Sequence, residues 1–199
     1  MSLDTFLALL AFAFVTSVTP GPNNFMLLAS GVNFGFRRTV PHMVGIAVGF
    51  WGLLLAVGLG LGALLAAMPN LALALKAAGG AYLLYLAWKI ASSDTSTPGE
   101  TAGAARPMSI AAAASFQWVN PKAWVMALTA MSLYTDPAKP WLSVLLVASA
   151  FALTNFPTVS VWAGFGVALR GFLSDPVRRR WFNIAMGLLL VATLVPMLR

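Results

Sequence analysis

The sequence predicts an all-α membrane protein with six transmembrane helices, arranged as two inverted three-helix repeats with broken first and fourth helices. Composition is the first reason. Of 199 residues, 60% are hydrophobic and only 9% are charged, whereas soluble domains carry about 25% charged residues. The second reason is a series of apolar runs, each long enough to cross a bilayer. The third is a polar linker that separates two halves with three runs each.

The same composition excludes several classes of function. A net charge of +7 would suit nucleic-acid binding in a soluble protein, but most of the basic residues here flank apolar runs, as the positive-inside rule describes. The chain has no cysteine and one histidine, which excludes disulfides, dithiol redox relays, thiolate metal sites and a histidine-only zinc site. We therefore expect no nucleic-acid partner, no metal and no cofactor.

The apolar runs and the residues that interrupt them define the elements in chain order. Proline interrupts the first run at Thr19-Pro20-Gly21-Pro22-Asn23-Asn24, the fourth at Asn120-Pro121-Lys122 and the fifth near Asn155-Phe156-Pro157. The linker, residues 92–106, is small, polar and contains Gly and Pro. The six predicted spans cover residues 3–34, 41–67, 71–90, 107–134, 141–169 and 181–198.

The break in the first span is a local signal with a clear physical cause. Pro20 and Pro22 have no N–H, so the carbonyls of Thr16 and Val18 lose their partners in the helix. In hydrocarbon such groups are tolerated only where they are buried in protein or line a wet cavity. The alternative interpretation is a proline kink that bends the span around its neighbours.

The residues after this break are suited to restart a helix. Gly21 is a candidate N-cap, and Pro22 suits the first helical position. The amides of Asn23 and Asn24 would then lie at a helix N-terminus, whose partial positive charge attracts anions such as a carboxylate. The segment from Pro20 to Asn24 is therefore predicted to form part of a substrate-binding site.

A lysine near the middle of the fourth span is the sharpest functional signal. Facing lipid would cost Lys122 at least ~2.5 kcal/mol, so we expect it to face the bundle interior or a cavity. No Asp or Glu lies deep in any predicted span. Two partners remain for the ammonium group: carbonyls freed at Gln117, Thr16 or Val18, or the carboxylate of a substrate. The first makes Lys122 structural, and the second makes it a binding residue.

Further side chains near the breaks are candidates to line the same cavity. They are amides, a proline and an indole that lie beside Lys122 or beside the proline of the fifth span. Helix–helix hydrogen bonding is the alternative role for the amides, and packing for the indole. These candidates are Gln117, Asn120, Pro121, Trp124 and Asn155.

The second span carries two other signals. Gly45 and Gly49 form a GxxxG pattern, which predicts close helix packing. His42, toward the end of this span that is predicted to be cytoplasmic, is a candidate for proton coupling. An interfacial hydrogen bond is the alternative role for His42.

The linker divides a single membrane domain into a first repeat, residues 1–91, and a second repeat, residues 107–199. Each repeat has three spans, and the first span of each is broken by proline. Because three is odd, the second repeat enters the membrane from the opposite side. This inverted arrangement, with interrupted helices in matching positions, marks the binding site of many secondary transporters.

The basic residues predict the orientation in the membrane. The loops after the first, third and fifth spans carry eight Lys and Arg residues, and the opposite side carries three. The positive-inside rule places the eight-charge side and the linker in the cytoplasm and both termini outside.

Two motifs resemble the signatures of the LysE/RhtB family of amino-acid exporters. The first is Thr19 to Asn24 followed by Ala29-Ser30-Gly31, Gly35, Gly45 and Gly49, and the second leads from Arg106-Pro107 to Asn120-Pro121-Lys122-Ala123-Trp124. The resemblance spans the whole chain. It implies a bacterial inner-membrane efflux protein for amino acids or related metabolites, driven by proton antiport. Phe50 stands where many relatives carry an acidic residue, which argues against a basic amino acid as substrate.

The predicted function is export of amino acids or related small carboxylates by alternating access, with the substrate held between the two breaks. The partners are the small-molecule substrate and the lipid bilayer, and a homodimer is left open. A membrane-embedded enzyme or redox conduit is the less favoured alternative, because nucleophile–base constellations are missing. A scaffold or assembly subunit is the other alternative, suggested by the glycine-rich second span.

Overall fold

The computed structural model describes residues 1–93 and 106–195. Over these residues the chain is helical and contains no β-strand. The α-helices are α1 (Leu3–Val18), α2 (Pro22–Phe34), α3 (Phe36–Ala56), α4 (Gly62–Ala67), α5 (Pro69–Ala91), α6 (Ile110–Gln117), α7 (Pro121–Tyr134), α8 (Pro140–Leu169) and α9 (Pro176–Ala192). A π-helical turn, Val57–Leu61, joins α3 to α4, and a 3-10 turn, Phe172–Ser174, precedes α9.

Three helical segments of the described chain are long and apolar enough to cross a membrane. They are Phe36–Ala67, Pro69–Ala91 and Pro140–Leu169, and α1 with α2 makes a fourth if this bent pair is one span. The predicted fourth span corresponds to the short helices α6 and α7, and the sixth to α9, which has 17 residues. The count of six spans stays a prediction.

Both predicted breaks at the first and fourth spans are confirmed. α1 ends at Val18 and α2 begins at Pro22, with a bend of 57° between them. Gly21 is the N-cap of α2, as the sequence indicates. In the fourth span, Asn120 caps α7, because its side chain accepts a hydrogen bond from the backbone N–H of Lys122 at 3.1 Å.

The predicted interruption near Asn155-Phe156-Pro157 is wrong. α8 continues through Pro157, which removes only one N–H from the helix. The hydroxyl groups of Thr154 and Thr158 bond the carbonyls of Ala150 at 2.8 Å and Thr154 at 2.7 Å in the turns before the proline. Because a lone proline frees a single carbonyl, that of Leu153, the rest of this 30-residue helix is kept.

Two helix boundaries also differ from the sequence prediction. α3 begins at Phe36 and contains Pro41, which was expected to start the second span. α9 begins at Pro176, because the side chain of Asp175 caps it by accepting from the N–H of Arg178 at 2.8 Å. Most of the linker, residues 94–105, lies outside the described residues.

Glycines bring the principal helix pairs into backbone contact. α2 packs on α8 where Gly31 meets the backbone of Ala163 and Gly166. α3 packs on α6, and a Cβ added at Gly49 would lie 2.5 Å from the backbone of Ala114. The close packing predicted from the GxxxG pattern is therefore confirmed.

The other main contacts complete the bundle. α1 packs on α8, α3 on α8, and α5 on α9. The largest group of buried apolar side chains joins α1, α3, α7 and α8, with Phe50 and Phe151 stacked edge to face at 5.4 Å between ring centroids. This core lies directly beside the two helix breaks, since Phe50 also borders the space between them.

Candidate functional site

The two helix breaks meet in the interior of the protein. Asn23, in the first turn of α2, donates from Nδ2 to Oε1 of Gln117 at 2.8 Å. Gln117, the last residue of α6, donates from Nε2 to Oδ1 of Asn23 at 3.1 Å. Gln117 is fully buried, and Asn120 lies 3.5 Å from its Oε1 through Nδ2. The amides predicted as site residues on the two breaks are thus brought together.

Lys122 reaches back across this junction to the first break. Its Nζ donates to the carbonyl oxygen of Thr19 and lies 3.5 Å from that of Pro20. The lysine stem passes against Gly21, where an added Cβ would lie 2.6 Å from Cδ of Lys122. Only Gly, with no side chain, allows the stem this path.

These contacts agree with the expectation that carbonyls of a broken helix hold the ammonium group. The carbonyls expected to do so were those of Thr16, Val18 or Gln117, and that choice is wrong. Thr19 and Pro20 hold Lys122 instead, because the 57° bend turns the residues of the break itself toward α7. Binding of a substrate carboxylate by Lys122 stays a prediction.

Side chains bond several backbone carbonyls that the break leaves without partners in the helix. Asn24, which is buried, donates from Nδ2 to the carbonyls of Ser17 at 3.1 Å and Thr19 at 2.8 Å. Trp162 of α8 donates from Nε1 to the carbonyl of Val18 at 3.3 Å. These hydrogen bonds hold the break in a defined conformation, and the amide of Asn24 makes two of them.

A small polar cavity lies between the two breaks. Its volume is about 20 Å³, which is room for about one water molecule. A free amino acid does not fit into this volume. The lining residues are Thr16, Ser17, Gly21, Pro22, Asn23, Asn24, Phe50, Gln117, Asn120, Lys122, Ala123, Met126, Asn155 and Val159.

A second, much larger cavity of about 820 Å³ adjoins the first. It is mainly apolar and lies between the α4–α5 hairpin and the start of α7. Gly21, Pro22 and Lys122 border both cavities. The predicted site residues Pro20, Pro121 and Trp124 line only the larger cavity, and Trp124 donates from Nε1 to the carbonyl of Trp118 at 2.8 Å.

Asn155 joins the small cavity from α8. Its Nδ2 donates to Oγ of Ser17 at 3.2 Å. Its Oδ1 is buried and has no hydrogen-bond partner among residues 1–93 and 106–195. Asn155 is 6% exposed, so this acceptor is also largely withdrawn from the surface.

His42 lies apart from both cavities. It is 2% exposed in α3, and neither ring nitrogen has a hydrogen-bond partner in the described part of the chain. The interfacial hydrogen bond considered for it is therefore not found there. Proton coupling through His42 stays a prediction.

Sequence reasoning missed several residues that line the small cavity. Ser17 and Thr16 lie on the last turn of α1, and Met126 and Val159 face the cavity from α7 and α8. Val159 is four residues after Asn155, so helical spacing alone could have placed both on one face. Met126 has the same relation to Lys122.

Comparison with known proteins decides the family. The sequence model described as "LysE type translocator" matches residues 14–196. The chain belongs to the LysE family of translocators. This confirms the family predicted from the two proline motifs. Membership makes the chain a transporter and not an enzyme, and a multi-pass protein of the bacterial inner membrane.

Curated relatives of this LysE family translocator have names that specify substrates. The cysteine/O-acetylserine efflux protein of Escherichia coli (strain K12) is 33% identical over 184 residues, which cover 90% of each chain. Proteins of the same name from Shigella sonnei (strain Ss046) and Escherichia coli O6:K15:H31 (strain 536 / UPEC) are 33% and 32% identical over the same length and share. No solved structure matches the chain.

Proposed function

We propose that this LysE family translocator exports amino acids or related small carboxylate metabolites from the bacterial cytoplasm by alternating access, in exchange for protons. The observation that carries the proposal is the meeting of two helix breaks at one polar cavity, joined by the Asn23–Gln117 pair and by Lys122. The curated relatives support small neutral amino acids as the substrate class, since their names specify cysteine and O-acetylserine.

The packing of the helices supports two inverted repeats, residues 1–91 and 107–199. The first span, α1 with α2, packs on α8 of the other half, and the fourth span, α6 with α7, packs on α3 of the first half. α3 and α8 pack on each other, and so do α5 and α9. Exchanging the halves leaves this set of pairs unchanged, as a two-fold axis in the membrane plane requires.

The proposed orientation places both termini in the periplasm. A Cβ added at Gly35, between α2 and α3, would lie 3.2 Å from a guanidinium nitrogen of Arg170, which follows α8. The turns after the first and fifth spans therefore lie at the same end of the molecule. Arg170 and the first turns of α3 and α9, which carry Arg37, Arg38 and the basic run from Arg178 to Arg180, provide the main part of the charge that is expected in the cytoplasm.

The site suggests how a carboxylate is recognised. Lys122 is half-buried, and within the described part of the chain its ammonium group contacts backbone carbonyls and no acidic side chain. A substrate carboxylate is a stronger partner for an ammonium group than a neutral carbonyl. We propose that, when the cavity opens, the carboxylate replaces the backbone carbonyls as the partner of Lys122. The amides at the N-terminus of α2 assist its binding. Lys122 borders both cavities, so one residue can hold substrate in either cavity.

The proposed coupling residue is His42. No Asp or Glu lies deep in a predicted span, and His42 is the sole histidine of the sequence. Its burial in α3, the helix that packs on both α6 and α8, supports a link between protonation and the packing of the two halves.

The function is tested by overexpressing the protein in a bacterial host and identifying the metabolites that accumulate in the medium. We expect one or more neutral amino acids or small carboxylates to accumulate, and the Lys122→Met variant at equal abundance to abolish the effect. If the medium of the wild type matches that of the variant across a broad set of metabolites, export is the wrong function.

A further inference from the structure

The proposed binding of a carboxylate by Lys122 does not involve one hydrogen-bond acceptor of the small cavity, Oδ1 of Asn155. Asn155 lines this cavity, and its Nδ2 is already bonded to Ser17 at 3.2 Å. Its Oδ1 is buried and unpartnered among the described residues. A buried acceptor without a partner costs free energy, so a donor group that enters this polar cavity with a ligand would gain a hydrogen bond there.

A second acceptor lies beside it. Pro20 has no N–H to bond the carbonyl of Thr16, four residues earlier in α1. Thr16 lines the same cavity, and the Asn155–Ser17 hydrogen bond holds Asn155 against the same turn of α1. Thr16 of α1 and Asn155 of α8 thus both line the cavity, and each has an oxygen that can accept a hydrogen bond.

Other elements that line the cavity carry positive charge. Lys122 approaches from α7, and the N-terminus of α2 begins at Pro22. Among residues 1–93 and 106–195, no Asp or Glu lines the cavity. A cation from α7 and neutral acceptors from α1 and α8 around one cavity match a zwitterion, whose carboxylate and ammonium groups are attached to the same carbon atom.

We infer that Oδ1 of Asn155, together with the carbonyl of Thr16, forms the subsite for the α-ammonium group of the substrate, so that the transporter selects α-amino acids over carboxylic acids that lack this group. The inference rests on the proposed function. The closed cavity of about 20 Å³ accommodates a group the size of one water molecule, which is also the size of an ammonium group. Opening of the cavity supplies the space for the remainder of the substrate.

The test compares two probes that differ only in the α-amino group, L-cysteine and 3-mercaptopropionate. Initial transport rates of both are measured under reducing conditions in proteoliposomes that contain wild type, Asn155→Leu, Asn155→Asp or Asn183→Leu. Asn183 is the matched control. It is a fully buried asparagine in α9 with an unpartnered Nδ2 in the described chain, and it lies outside both cavities.

The ratio of the cysteine rate to the mercaptopropionate rate measures how strongly the transporter selects for the α-ammonium group. For Asn155→Leu we expect the ratio of cysteine to mercaptopropionate to fall roughly tenfold to a hundredfold, the usual effect of losing a hydrogen bond to a charged group. For Asn155→Asp the ratio should rise, because a carboxylate attracts the ammonium group and repels the acid. Asn183→Leu should leave the ratio at its wild-type value.

The other outcomes separate failure of the subsite from failure of the function. Equal losses for both probes in Asn155→Leu, or ratios that move in the same direction in both Asn155 variants, overturn the subsite while export itself stands. If wild type moves neither probe nor any other neutral amino acid in the same vesicles, the proposed function fails, and the subsite fails with it.

Discussion

The carboxamides of Asn23 and Gln117 hold each other by two hydrogen bonds, at 2.8 and 3.1 Å, although 94 residues separate them in the chain. The pair is the direct link between the restart of the first span and the end of α6. Each amide both donates and accepts, so neither residue can be replaced alone without leaving polar atoms unpaired in the interior.

The first prediction concerns this pair. Asn23→Leu and Gln117→Leu should each destabilise the protein, and the double variant should cost less than the sum of the two. In membrane proteins such pairs couple by about 0.6 kcal/mol on average and at most about 1.7 kcal/mol. Thermal unfolding in detergent of the wild type and the three variants measures the coupling. Strictly additive losses would show that the two amides act independently.

The second prediction concerns the cation. Lys122→Met should insert and fold as the wild type does, because it removes a charge that is costly in a membrane interior. It should lose export, because the carboxylate loses its partner. Abundance in the membrane and efflux from loaded vesicles are the two measurements. Lys76→Met is the matched control, since Lys76 is exposed and lines only the larger cavity. Wild-type efflux by Lys122→Met removes the lysine from the mechanism.

The third prediction tests the path of the lysine stem. Gly21 has φ −173°, a conformation open to any residue, so the backbone would not resist substitution. A Cβ there would lie 2.6 Å from Cδ of Lys122 and displace the side chain. Gly21→Ala should therefore lower the transport rate of the folded protein. Its cost in unfolding free energy should stay within about 1–3 kcal/mol, the typical cost of overpacking. Gly164→Ala is the control, because nothing lies within 4 Å of a Cβ at that position. Equal transport by both variants would contradict the crowding argument.

The fourth prediction concerns the packing of α3 on α6. A Cβ at Gly49 would lie 2.5 Å from backbone atoms of Ala114, which cannot rotate away. One turn along the same helix, a Cβ at Gly52 would lie 3.8 Å from Trp118, an ordinary contact. Gly49→Ala should lower the unfolding free energy by about 1–3 kcal/mol, and Gly52→Ala should leave it nearly unchanged. The comparison is made by thermal unfolding, and similar stability of the two variants would argue against close packing.

The sequence was sufficient to predict the positions of both breaks. Pro20, Pro22 and Pro121 remove N–H groups wherever the chain folds, and Gly21 before Pro22 is a local N-cap pattern. Composition was likewise sufficient for a helical membrane protein. These inferences depend on neighbours in the chain alone.

The partners of the broken helix could not be predicted in the same way. Which carbonyls hold Lys122 depends on the 57° bend and on the approach of α7. The role of Trp162 depends on α8 passing the end of α1. The interruption at Pro157 was predicted wrongly because a lone proline in a long helix has the same local sequence pattern as a break. In the structure α8 continues through it, and the hydroxyl groups of Thr154 and Thr158 bond to carbonyls of the same helix.

The smallness of the cavity has a consequence for the cell rather than for the substrate. A space of about 20 Å³ between the breaks cannot hold a metabolite, so we expect the protein in this conformation to block the passage of free metabolites between the breaks. The amide pair of Asn23 and Gln117 lines the same space. A variant that opens this pair is then expected to harm its host by uncontrolled loss of solutes, even where it binds its substrate normally.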